Sequence, residues 1–147
     1  MTDRKDIEIV QTADSPAEAR DLILRMIHQA NEEEFGPMGM ELLRLFLRGR
    51  DGRIVGGLWG RTVFRWLYVE LLAVPRELRG QGLGRDLLAR AENEARRRGC
   101  IGAWLETYSP RSRGLYEACG YSVFGSMTDC PPGGARSFMS KRLDTPT

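Results

Sequence analysis

The stretch LAVPRELRGQGLG, from Leu72 to Gly84, decides how the chain is read. A short apolar segment stops at Pro75 and two charges. Three glycines then follow at alternate positions, Gly80, Gly82 and Gly84, with Arg79 just before the first. Upstream, TVFRWLYVELLAV reads as a long apolar strand in the middle of a sheet. Downstream, LGRDLLARAENEARRRG reads as a helix with Leu83, Leu87, Leu88, Ala91 and Ala95 on one face and Gly99 as its stop. The glycines therefore leave a strand and open a helix. A helix N-terminus offers free backbone N–H groups and the positive end of the helix dipole, so it attracts anions. Without a Cβ, glycine lets the backbone come close to a bulky diphosphate. Arg79 and Arg85 add positive charge around the same turn. The local physics describes a pyrophosphate cradle. The plainer alternative, an ordinary strand-to-helix turn, needs fewer glycines.

The remaining segments order themselves around this turn. DIEIVQ alternates apolar and polar residues, as a half-buried strand does. DSPAEARDLILRMIHQANEE reads as a helix capped by Ser15, with Pro16 in its first turn and Leu22, Ile23, Met26 and Ile27 as an apolar stripe. ELLRLFLRGRDGRIVGGLWGR reads as two strands joined at RGRDGR, with Asp51-Gly52 as the hairpin signal. After the glycine helix come a strand in CIGAWLETYS, a short helix in PRSRGLYEACG stopped by Gly120, a strand in YSVFGSM, a loop in TDCPPGG and a last strand in ARSFMSKRL. The order is β-α-β-β-β-α-β-α-β-β, an α/β chain of the α+β kind with helices packed on a mixed sheet. Its 147 residues suit one domain, 1–147.

Composition removes several kinds of chemistry. The formal net charge is only +2, so bulk charge points to no nucleic-acid partner. No apolar run reaches the length of a membrane span, and the N-terminal residues lack a signal-peptide core. The expectation is a cytoplasmic protein with reduced thiols at Cys100, Cys119 and Cys130. The single histidine, His28, rules out a His-rich zinc site and leaves no good basis for a Ser-His-Asp triad; no metal is expected.

Two motifs then carry a resemblance. The Walker pattern is absent, and a GxGxxG dinucleotide pattern would need glycine where Arg85 stands. RGQGLG, Arg79 to Gly84, instead matches R-x-x-G-x-G, and GLYEACGY, Gly114 to Tyr121, is similar to an LYEKxGF segment. In this order and setting they resemble the coenzyme A loop and the following helix of the GNAT acyltransferases. The likeness covers nearly the whole chain and is weakest in the N-terminal third. It implies the GNAT fold: a mixed, mostly antiparallel sheet of roughly six to seven strands flanked by about four helices. The fourth and fifth strands would splay apart. Backbone groups of Leu72, Ala73 and Val74 would meet the pantetheine arm of acetyl-CoA. The turn of Arg79, Gly80, Gln81, Gly82, Leu83, Gly84 and Arg85 would hold its pyrophosphate.

Acetyl transfer to an amine needs a neutral nucleophile, a donor to the oxyanion and a proton for the departing thiolate, and an alkyl amine with a pKa near ~10 is mostly protonated at neutral pH. Tyr116 is the family-matched proton donor; its alternative role is to pack helix on sheet. Tyr121 is expected in the core. Glu70 and Glu106 are candidate proton acceptors, and a hydrogen-bonded structural carboxylate is the alternative for each. Glu70 interrupts an apolar strand, where alternation would place it on one face with Leu72 and Val74. The acceptor loops would be NEEEFGPMGM, whose Glu32, Glu33 and Glu34 could attract a cation, and DCPPGGARSF. Two positions depart from the family pattern: Ser109 stands where asparagine is frequent and Ser112 where alanine is. Pro110, Arg111 and Arg113 would shape the coenzyme-side wall. The resulting expectation is an N-acetyltransferase acting on a small-molecule or peptide amine, with a homodimer open. The rival expectations are a coenzyme-A-binding regulatory protein with little turnover, and an acyltransferase with another donor or a hydroxyl acceptor.

Overall fold

The structure, a computed structural model, describes residues 2–145. It separates into two compact units, one ending at Met38 and one beginning at Gly39. The first unit holds a single-turn 3-10 helix, Arg4–Asp6, and helix α1, Ala19–Phe35. The expected strand in DIEIVQ does not form: Ile7, Ile9 and Val10 lie in no ladder and are exposed. Alternation permits a strand, but only a hydrogen-bonded neighbour makes one. The N-terminus of α1 also differs from expectation. The Ser15 hydroxyl turns to the Pro16 carbonyl at 3.4 Å instead of a helix N–H, and the helix begins at Ala19.

The second unit is built on one six-stranded sheet with the order β1-β2-β3-β4-β6-β5. Strands β1, Glu41–Arg48, and β2, Ile54–Val63, form the expected hairpin around Asp51-Gly52. Strand β3, Trp66–Ala73, returns antiparallel to β2. The turn between them is Phe64-Arg65, with both residues at positive φ, 49° and 64°. The segment expected as one long strand from Thr62 is thus split by a two-residue turn. Helix α2, Leu83–Arg97, crosses to β4, Gly102–Thr107, which runs parallel to β3. Helix α3, Pro110–Ala118, leads to the hairpin of β5, Ser122–Thr128, and β6, Ala135–Arg142, with β6 against β4.

Leu58, Leu67, Leu88, Leu105 and Met139 are the largest fully buried side chains. Burying each such leucine contributes roughly 1.5–3 kcal/mol. Ala91 and Ala95, both wholly buried, let α2 lie close on the sheet, and Leu87 and Leu88 complete the expected apolar face. Two polar clusters fix α2. Glu92, 4% exposed, accepts from Lys141 Nζ at 2.7 Å and from the Tyr121 hydroxyl at 3.0 Å. At the helix end, Arg98 binds Glu94 and donates to the carbonyls of Glu41 and Leu42 and to the Thr62 hydroxyl.

The register between β3 and β4 positions the site. It pairs Trp66 with Gly102 and ends at Val69 with Leu105, although β3 continues to Ala73 and β4 to Thr107. On its other edge β3 stays paired with β2 as far as Ala73. The two parallel strands therefore part after Val69, which is the expected splay. With six strands it falls between β3 and β4. The β2–β3 register slips between Trp59 and Gly60, so Glu70 is the extra residue of a bulge. The bulge breaks the alternation that put Glu70 on one face with Leu72 and Val74. Glu70 and Leu71 are both exposed, while Leu72 and Val74 pack against the core.

Candidate active site

Where β3 and β4 part, a cavity of about 820 Å³ opens. One wall is the end of β3, with Leu72, Ala73 and Val74. The next is the glycine turn and the start of α2, with Arg79, Gly80, Gly82, Leu83, Gly84 and Arg85. Helix α3 closes the far side through Ser109, Arg111, Ser112, Leu115 and Tyr116. Gln81, at the tip of the same turn, is exposed and does not line the cavity. Among the described residues the charged ones lining it are Arg79, Arg85 and Arg111, with no carboxylate, so the cavity suits an anion.

The glycines differ in what they permit. Gly82 is the N-cap of α2 and adopts φ 84°, ψ 5°, a left-handed conformation that side chains disfavour. Gly80 shares that conformation at φ 79°. Gly84 lies in the helix, where an added Cβ would stand 3.2 Å from Leu115 Cδ2 across the cavity. The first N–H groups of α2 have no partner within the helix, since its first bond runs from Asp86 N to Gly82 O. They point out of the helix N-terminus. Arg79 is held to the turn through Nε, which donates to the Val74 carbonyl at 3.4 Å.

Helix α3 brings Tyr116 to this cavity. Ser109 caps the helix by accepting from Ser112 N at 3.2 Å, and Pro110 occupies its first turn. The two departures from the family pattern thus join in one cap. Tyr116 is 7% exposed, and its hydroxyl has no hydrogen-bond partner among the described residues. Burial pushes its pKa up, with a smaller contribution from Cys119, so the phenol keeps its proton. Tyr121 lies in the core against Tyr116 and Glu92, as expected.

The two carboxylates sit outside the cavity lining, on the strands that part. Glu70, on the bulge, pairs with Arg61 at 3.1 Å with its side chain 42% exposed. Glu106, on β4, is 20% exposed; it accepts from the Tyr68 hydroxyl at 3.1 Å and pairs with Arg136 of β6. Tyr68 lies flat on Trp104, with ring centroids 4.1 Å apart. In the segment expected to form an acceptor loop, Glu32 accepts from Met38 N and Glu33 from Gln29. The residues that sequence reasoning missed are Leu78 and Leu115 in the cavity wall and Tyr68 beside Glu106. Period-two spacing on the strand was the available signal for Tyr68, two residues before Glu70. Leu115 lies within the GLYEACGY motif, which was the available signal for it; nothing local marks Leu78.

The split of the parallel pair β3 and β4 thus brings a glycine-capped helix, an anion-suited cavity and a protonated tyrosine together in one place. Residues 11–121 match the Acetyltransferase (GNAT) family, and the chain belongs to that family. It is similar to an acetyltransferase of Agrobacterium fabrum, 40% identical over 127 residues, covering 86% of this chain and 93% of the relative. It is also similar to the blasticidin-S acetyltransferase of Streptomyces morookaense, 38% identical over 121 residues, covering 82% and 88%. A crystal structure from Agrobacterium tumefaciens superposes with a TM-score of 0.88 at 38% identity, covering 92% of this chain and 99% of that one.

Proposed function

We propose that the protein transfers the acetyl group of acetyl-CoA to a primary amine by direct attack. The observation that carries this reading is the cavity at the β3–β4 split, which joins unpaired strand backbone, a helix N-terminus and Tyr116 in one space. Past Val69 the backbone of β3 has no β4 partner, so its N–H and C=O groups on that edge are free for the pantetheine amides and the acyl oxygen. The turn from Gly80 to Arg85 takes the pyrophosphate on backbone N–H groups, and Arg79, Arg85 and Arg111 balance its charge.

Chemistry follows from what each side chain can hold. The amine enters at the mouth of the split and attacks the thioester carbonyl carbon, forming the C–N bond. As the C–S bond breaks, Tyr116 gives its phenolic proton to the departing sulfur. Glu106 takes the proton lost by the amine. Its carboxylate is the more enclosed of the two, 20% exposed against 42% for Glu70, and two donors hold it. Glu70 lies on the bulge one residue past Val69, with its carboxylate paired to Arg61 of β2.

The relative named for blasticidin S makes that compound the first acceptor to try. The test is thiol release from acetyl-CoA over a panel of blasticidin S, a polyamine, an aminoglycoside, free amino acids and a peptide N-terminus. Amine-dependent thiol release with a stoichiometric N-acetyl product is the expected result. Acetyl-CoA binding without release on any amine would overturn the reading in favour of a coenzyme-A-binding protein. Faster release with a longer acyl donor would overturn the assignment of acetyl.

A further inference from the structure

We propose that Tyr68 and Arg136 are positioning residues that hold the Glu106 carboxylate in one orientation at the mouth of the β3–β4 split. The proposal rests on the reading of Glu106 as the group that takes the amine proton. Glu106 is the first residue of β4 beyond the last register pair, Val69 with Leu105. It therefore stands where neighbouring backbone no longer restrains the strand on that edge, and a side chain there needs restraint from elsewhere.

That restraint comes from two different strands. From β3, the Tyr68 hydroxyl donates to Glu106 Oε1 at 3.1 Å. From β6, Arg136 Nη2 pairs with Oε2 at 2.5 Å. Among the described residues each oxygen has one protein donor, and a carboxylate offers about four lone-pair positions, so both oxygens keep a position for an incoming N–H. The donors are themselves packed against aromatic or cationic groups. The Tyr68 ring lies on Trp104 with planes 15° apart, and the Arg61 guanidinium sits 4.9 Å from its centroid. The Arg136 guanidinium lies 5.4 Å from the Tyr108 ring and 5.3 Å from the Phe138 ring. Burial, and next the hydrogen bond to Glu106, push the Tyr68 phenol above its ordinary pKa, so it remains a donor across neutral pH.

A tie between strands that served stability alone would share these distances, so the test is a double-mutant cycle on turnover. Kinetics are measured with acetyl-CoA and the panel amine that turns over fastest, in wild type, Tyr68→Phe, Glu106→Gln and the double variant. Tyr68→Phe keeps the ring on Trp104 and removes only the hydroxyl. It is expected to lower kcat about 10-fold while leaving the KM for acetyl-CoA unchanged. Glu106→Gln is expected to lower kcat roughly 10²–10⁴-fold, and adding Tyr68→Phe to it should cost nothing further. Losses that multiply in the double variant, or a wild-type kcat in Tyr68→Phe, overturn the positioning role while leaving Glu106 as base. A wild-type kcat in Glu106→Gln overturns the base reading, and the proposal with it. Absence of turnover on the whole panel overturns the parent function. If Tyr68→Phe loses its cooperative thermal transition, the same cycle with Arg136→Met decides by the same criteria.

Discussion

Replacing Gly82 with alanine should reveal what the left-handed turn costs a residue that has a Cβ. Gly82 sits at φ 84°, and a Cβ built on it meets nothing within 4 Å. No clash and no new contact contribute, so the whole effect is the backbone preference of an L residue, about 1–2 kcal/mol against the left-handed conformation. That energy must appear in one of two measurements. If the turn keeps its shape in the free protein, the folded state is destabilised, and Tm falls by about 2–8 °C for a chain of this size. If the turn relaxes, Tm is spared, and coenzyme A must restore the shape on binding, which weakens its affinity about 5–30-fold. Thermal melts and calorimetric titration with coenzyme A, run on the same preparation, distinguish the two. Gly84→Ala is the control. Gly84 is helical, its new Cβ meets side-chain ends alone, Leu115 Cδ2 at 3.2 Å and Val74 Cγ2 at 4.0 Å, and alanine is the better helix former. Its Tm should hold or rise. Wild-type Tm together with wild-type coenzyme A affinity in Gly82→Ala would refute the reasoning.

Tyr116→Phe should lower kcat by about 10²-fold or more with coenzyme A affinity unchanged, because the ring still lines the cavity and only the proton donor is lost. Burial raises the Tyr116 pKa above 10.0, so kcat should show no loss of this donor up to that pH, and a Tyr116-dependent decline near neutrality would contradict the assignment. Hydrogen bonds from Arg97, then Arg98, hold the Glu94 pKa at about 2, below its ordinary 4.5. A depressed carboxylate pKa gives stability that is present above the unfolded value and lost as pH falls through the folded one. The Tm difference between wild type and Glu94→Gln should therefore be constant above pH 4.5 and close as pH falls toward about 2. A gap that persists at the acid end would mean that Glu94 acts through packing.

Much of the fold was legible because local chemistry and tertiary packing agree there. The apolar face of α2, the Asp51-Gly52 hairpin and the glycine turn each carry a strong local signal, and each is where the sequence places it. The Phe64-Arg65 turn carried no such signal. Positive φ at two ordinary residues is imposed by the pairing of β2 with β3, and nothing in the dipeptide announces it. The Glu70 bulge was hidden for a related reason. Alternation assumes an unbroken register, and the slip opposite Trp59 and Gly60 turns both Glu70 and Leu71 outward. DIEIVQ satisfied the strand pattern and lacks the ladder. Within the site, the cavity side was readable from the glycines and Tyr116. The pairing of Glu106 with Tyr68 and Arg136 was not, because it spans three strands and 38 residues separate Tyr68 from Glu106.

The most direct test of the central claim is calorimetric titration of the protein with acetyl-CoA, with desulfo-CoA and ATP as controls. Saturable one-to-one binding of acetyl-CoA and desulfo-CoA, with ATP silent, is the predicted result, since the cavity has to recognise pantetheine along the β3 edge as well as the pyrophosphate at the helix. Absence of acetyl-CoA binding, or tighter binding of ATP, would contradict it, and the roles given to Tyr116 and Glu106 would fall with it.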